Sequence, residues 1–216
     1  MFTQISYHVN WPSPTDPYNL HNPADVTTRR EYYGVNAVPD IQVDGVNTNS
    51  WQNLITSNAA TSAPLSIDLF GIYDNPSGNG SCVVAMTPEA GVSGDYKLHV
   101  VLVQDGLYFM GSNGYPNHEH VMRDMFPNAS GTTISLEAGV QALEVVNFSV
   151  DPSYITDDCR LVVFVQSLDH TVLNASTVHV SEISPITFPL FSIPSTNLSI
   201  MGGDGDGTLN PGGSAE

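Results

Sequence analysis

Two cysteines, Cys82 and Cys159, are the residues most able to do redox chemistry in this chain, and their spacing argues against it. A dithiol oxidoreductase needs a C-x-x-C at a helix N-terminus, where the helix lowers the thiol pKa. None is present. Each cysteine instead opens an apolar, strand-like run, CVVAM and CRLVVFV. Such a pair reads either as a disulfide joining two strands of an exported sandwich domain or as two buried free thiols. The disulfide is the expectation taken forward.

The other chemistry-bearing residues fall into two groups. Asp204, Asp206, Thr208 and Asn210 place oxygen atoms at alternate positions of a glycine-rich stretch. Calcium takes six to eight such hard ligands, so calcium is the cofactor the sequence suggests. The acidic residue that closes the usual calcium loop is missing, and an acidic linker is the competing reading. His118 and His120 are two apart. On a strand both would face one side and could hold part of a zinc site, although no partner ligand is evident; two loop histidines are the simpler reading. No G-x-S-x-G occurs, and no pair of carboxylates signals glycoside chemistry. Tyr32, Tyr33 and Trp51 read as core aromatics, with sugar binding as the alternative. Asn79, Asn128, Asn147, Asn174 and Asn197 begin N-x-S/T sequons.

These residues sit in a chain of 216 residues, enough for one domain with a sizeable core or two small ones. Five basic residues stand against 22 acidic ones, giving a formal net charge of -17. Electrostatic binding to nucleic acid or to an anionic membrane is therefore disfavoured, since neutralising phosphates takes basic side chains. Charged residues make up only 12% of the chain, which leaves Asn, Ser, Thr and Gly to supply polarity. That balance suits an extracellular module. No apolar run reaches the length of a membrane helix, and the first residues do not form a signal peptide.

The elements that must position these residues come in two textures. Residues 3–9 alternate as a strand does. WPSPTDPYNLHNP then carries four prolines, which predicts a loop. Asp25 can cap a helix that stops at Gly34. Residues 40–44 read as a strand, Asp44-Gly45 as a hairpin turn, and Ser50 as the cap of a second short helix. After about residue 62, short runs rich in Val, Ile and Thr recur between turn signals. About seven such strands predict an antiparallel β-sandwich. The last residues are rich in Pro, Ser and Gly.

YYGVNAVPDIQVDG, residues 32–45, resembles the second half of a thioredoxin-like fold. Val38-Pro39 stands where that fold has its cis-proline. Together with ISYHVNWPSPTDPYN, HEHVMRDMFPNASGTTISL and LVVFVQSLDHTVLNAS, it is similar to the Omp28-related family of outer-membrane and surface proteins. The likeness runs over residues 3–183. Its most specific pieces are the Tyr-Gly-Val to Pro stretch and Arg123, for which the resemblance implies a structural role beside the histidines, with Asp124 as partner. It also implies an α+β chain with a partial thioredoxin-like segment at 1–62, an Ig-like antiparallel sandwich at 63–183 and a linker at 184–216 that leads toward a further Ig-like repeat. The C-x-x-C half would precede residue 3, so both ends read as cut. The function expected is a non-catalytic exported module of the outer membrane or surface, with a protein or surface component, or itself, as partner. Two alternatives stand: a fragment of a thiol-disulfide oxidoreductase, and a subunit that self-assembles by strand addition at open sheet edges.

Overall fold

The apolar runs of the second half pair into two antiparallel sheets, seen in a computed structural model that describes residues 2–111 and 114–185. The first elements are helical: α1 (Pro17–His21), α2 (Pro23–Tyr32), the hairpin β1 (Gln42–Val43) and β2 (Val46–Asn47), then α3 (Trp51–Ala59). The strands of the second half follow: β3 (Leu65–Asp74), β4 (Asn79–Pro88), β5 (Gly94–Gln104), the separate hairpin β6 (Leu107–Tyr108) and β7 (Asn117–His118), β8 (Val121–Phe126), β9 (Thr132–Leu136), β10 (Ala142–Ser149), β11 (Cys159–Gln166) and β12 (Val172–His179). One sheet has the order β10-β4-β3. The other runs β12-β11-β5-β8, with β9 pairing the first part of β5. The chain is therefore rich in antiparallel sheet, with few helices.

Side-chain alternation along β5 and β11 explains the layering. Leu98, Val100 and Leu102, with Leu161, Val163 and Val165, point between the sheets, where they meet Leu65, Val84, Met86, Val146 and Phe148. Their neighbours Val101, Val103, Val162 and Phe164 point the other way, onto Val26 of α2 and the N-terminal residues Ile5, Tyr7 and Val9. The five-stranded sheet is thus covered on both faces, which is why LHVVLVQ and LVVFVQ read as nearly unbroken apolar runs. Each fully buried Val or Leu contributes about 1.5–3 kcal/mol, so the N-terminal layer belongs to the hydrophobic core.

The proline-rich stretch is not wholly a loop. Asp16 caps α1, its carboxylate accepting from the N–H groups of Tyr18 and Asn19, and Pro17 begins the helix. Asn22, rather than Asp25, caps α2, with Pro23 next. Proline is tolerated at the first helical position because its missing N–H has no helical partner there. The strand expected at 3–9 is reduced to a single parallel bridge between Ser6 and Val121. Asp44 and Gly45 both have positive φ, as the two-residue hairpin turn requires. Helix α3 has no buried residue, so Trp51 is not the core residue expected of it.

Candidate functional site

Arg123 is placed by a break in the ladder between β5 and β8. Leu102 pairs with Asp124 and Val103 with Met122, so Arg123 is skipped. The bulge lets Met122 and Met125, three residues apart, both join the cluster beneath the N-terminal layer. It also re-aims Arg123, as bulges do. The guanidinium lies 4.4 Å from the Tyr154 ring centroid and 5.7 Å from that of Tyr18. Its Nε has no hydrogen-bond partner, and Asp124 forms no ion pair with it. Asp124 instead accepts from Asn22 Nδ2 at 3.1 Å and from the Met125 N–H. The expected Arg123–Asp124 pair is thus replaced by tyrosine faces, which attract a guanidinium through the ring quadrupole. Beside them Tyr154 Oη and His21 Nε2 are 2.6 Å apart. Burial pushes the Tyr154 hydroxyl and the Asp124 carboxyl up and the His21 imidazole down. Loss of water drives all three shifts the same way, toward the neutral form.

A second buried arginine holds the other end of the same interface. Arg29 on α2 donates to Tyr33 Oη at 2.9 Å and to Gln166 Oε1 at 3.0 Å. Its NH1 reaches the His99 Nε2 at 3.4 Å, and its guanidinium faces the rings of Tyr32, Tyr33 and Phe164. Gln166 donates to Tyr33 Oη and to the His170 carbonyl. His99 stacks on Phe164. Burial, then the Arg29 and Lys97 charges, hold the His99 imidazole down to about 3. Burial also raises the Tyr7 hydroxyl to about 12, against the pull of Arg29. Sequence reasoning did not single out Arg29, His99 or Gln166. A polar residue inside an otherwise apolar run, as in LHVVLVQ and LVVFVQ, was the signal that could have found two of them.

The residues singled out in the sequence are dispersed. His118 Nε2 lies 2.8 Å from the Phe109 carbonyl, within a ring cluster of His8, Tyr18 and Phe109. His120 has a positive φ, which breaks strand alternation, and its Nδ1 pairs with Asp105 at 3.1 Å. The two histidines therefore do not share a face. Among the described residues no group of three or more His, Cys, Asp or Glu is arranged to hold a metal ion. Asp204, Asp206, Thr208 and Asn210 lie outside the described residues. The expected disulfide is not made: Cys82 and Cys159 are free and fully buried. They sit on opposite sheets, Cys82 between Gly71 and Val146 and Cys159 against Gln104, and each fills the core as a small apolar group. Burial pushes each thiol up to about 11. Val38–Pro39 is cis, as are Trp11–Pro12 and Phe126–Pro127.

Fold and sites together define a β-rich module in which buried arginines and their ring partners bind a helical layer to a sandwich. The family model of outer membrane protein Omp28 matches residues 26–184, well over half of the chain, and the chain belongs to that family. It is an exported protein of the outer membrane or cell surface. Among solved structures, a domain of the outer membrane lipoprotein Omp28 from Porphyromonas gingivalis is similar at 17% identity and a TM-score of 0.41, covering 58% of this chain and 100% of that one. The alkylpurine DNA glycosylase AlkC of Pseudomonas fluorescens is similar at 15% identity and a TM-score of 0.33, covering 78% of this chain and 44% of that one. A β-glucosidase of Listeria innocua is similar at 14% identity and a TM-score of 0.30, covering 56% of this chain and 16% of that one. No curated protein is similar enough to count as a match. No helix among the described residues is long and apolar enough to cross a membrane.

Proposed function

We propose that this chain is a non-catalytic module whose work at the surface is binding or structural. One observation carries the reading: the groups able to do chemistry are spent on architecture. Arg29, Arg123 and His99 hold the helical layer to the sheet, His118 and His120 tie down a hairpin and its turn, and both thiols are buried. A thiol at about 11 is almost wholly protonated at neutral pH, and the thiolate is the reactive species. In the same proposal residues 1–62 are a thioredoxin-like remnant. The order of α2, the Val38-Pro39 link, the β1–β2 hairpin and α3 supports it, as does the likeness of residues 32–45. Residues 63–183 are then the sandwich and 184–216 the linker.

The test is thiol titration with an aromatic disulfide reagent at pH 8. The native chain is expected to leave both cysteines unreacted while the denatured chain gives two equivalents. It is also expected to show no thiol-dependent reduction of insulin. Insulin reduction that disappears in Cys82→Ser or Cys159→Ser would refute the reading and favour an oxidoreductase.

A further inference from the structure

The sheet edges of this molecule are not equally protected. The β8 edge is bonded by Ser6, whose N–H donates to the His120 carbonyl and whose carbonyl accepts from Met122. The β3 edge is met by Ser184, whose carbonyl accepts from Gly71, and by the Asn174 side chain on the Leu65 carbonyl. At the start of β12, Val172 donates to the Asp44 carbonyl of the β1–β2 turn. β10 pairs with β4 along its whole length, and among the described residues no hydrogen bond reaches its outer edge. It is eight residues long, ALEVVNFS, with no proline, no lysine and an unbroken register to β4. Proline, lysine and a bulge are features with which folded proteins blunt an edge, and β10 has none of them; its one charge is Glu144, on the side of Val84 and Val146.

The face beside that edge is apolar as well. In the register β3–β4–β10, Phe70, Val83 and Val145 are aligned, and Ala85 is aligned with Leu143. They point away from the sandwich core. Leu143 is 58% exposed, Val145 60% and Ile72 62%. Contiguous exposed apolar surface of this kind marks an interaction site.

We propose that β10 is a self-association edge, which adds the same strand of a second copy in antiparallel pairing and joins the two three-stranded sheets. This deepens the module reading above and rests on it. An antiparallel strand pairs with its own copy about a two-fold axis, so one sequence supplies both sides of the interface. Leu143 and Val145 share a face, so the two copies join their apolar patches into one surface. Charge selects a copy as the occupant. In a chain with 22 acidic and five basic residues, this face carries only Asp68 and Asp74 and no Lys or Arg. A basic partner finds little to meet there, while two copies meet where their mutual repulsion is weakest.

The experiment is sedimentation equilibrium of the full chain over a concentration series at physiological and raised salt, with amide exchange at low and high concentration. The dimer fraction is expected to rise with concentration and with salt, and the β10 amides to gain protection in the concentrated sample. Val145→Lys sets like charges across the two-fold and is expected to weaken association roughly tenfold or more. Leu143→Lys is expected to act the same way, and circular dichroism melting confirms that both variants fold. Ile155→Lys, at another exposed apolar position (64%), is expected to leave association unchanged. A monomer at every concentration overturns the proposal. So does a dimer that neither variant weakens, or one that protects other strands. β10 protection gained only on adding a foreign peptide strand would also overturn it. None of these readouts involves thiols, so insulin reduction would refute the module reading while leaving the dimer result intact.

Discussion

Acid should weaken this fold through one buried imidazole. His99 packs flat on Phe164, accepts at Nε2 from Arg29, and has its Nδ1 buried without a partner. An Nε2 that accepts from a permanent cation leaves the ring proton on Nδ1 and the ring neutral. Its folded pKa is about 3, against 6.5 for the free side chain. Between those values the unfolded chain binds a proton that the folded chain does not, so stability falls as pH falls. The slope is about 1.4 kcal/mol per pH unit. From pH 7.5 down to 4.5 the loss is about 2.5–3 kcal/mol, and above about pH 7.5 the contribution is fully present. His99→Gln keeps a polar amide but cannot titrate. It is expected to be less stable than the parent at pH 7, by about 1–2 kcal/mol for the lost stack and hydrogen bond. At pH 4.5 the gap is expected to close or reverse. Urea unfolding of both proteins at the two pH values measures this directly. His21, also shifted down, and Asp124, shifted up, are present in both proteins and cancel in the comparison. A gap that stays the same within about 0.5 kcal/mol would show that His99 takes up its proton as readily in the folded chain as in the unfolded one, and would refute this account.

Two further outcomes test the interface and the hairpin. Arg29→Met removes the donor to Gln166 Oε1 and Tyr33 Oη and is expected to cost about 2–3 kcal/mol in urea unfolding. Arg123→Met is expected to cost about 1 kcal/mol or less, because a thioether can keep contact with the Tyr18 and Tyr154 rings; equal costs would contradict the distinction between the two arginines. Gly45→Ala places a Cβ onto the His170 carbonyl at a residue with φ of 85°. It is expected to lower the thermal midpoint and to cost at least about 1–3 kcal/mol, a loss that Val46→Ala on the same hairpin does not reproduce.

Much of the sandwich was visible because its strands are short, β-branched and separated by turn residues. The Asp44-Gly45 hairpin and the stop at Gly34 were visible for a similar reason: each needs a backbone conformation that few residues adopt. Two of the local errors have the same origin. Proline density pointed to a loop over residues 11–23, but Pro17 and Pro23 each sit at the first position of a helix, where proline does no harm. The site was harder to read because its parts come from distant segments. Arg29 meets Gln166 across 137 positions. The bulge that turns Arg123 is established by pairing; in the sequence its only trace is MRDM, where two methionines three apart break strand alternation. The cysteine pairing failed because two strand starts with equal apolar character can lie in facing sheets, share a core and still remain separate thiols.

The double coverage of the five-stranded sheet links these observations to function. A two-layer sandwich needs polar outer faces, and the three-stranded sheet meets that need only in part, since Leu143, Val145 and Ile72 stay exposed. The five-stranded sheet does not meet it at all: Val101, Val103, Val162 and Phe164 would face water if the N-terminal residues were absent. The helical layer is therefore a cover that the sandwich requires. Covering an apolar face with helices brings polar groups into a dry interface, where each must find a partner. Tyrosine rings, Gln166 and a neutral His99 supply those partners for two arginines that have no buried carboxylate. Among the described residues, that interface still holds four buried polar atoms without a partner, Tyr7 Oη, Arg29 Nε, His99 Nδ1 and Arg123 Nε. It leaves the uncovered sheet, with its open β10 edge, as the face turned outward.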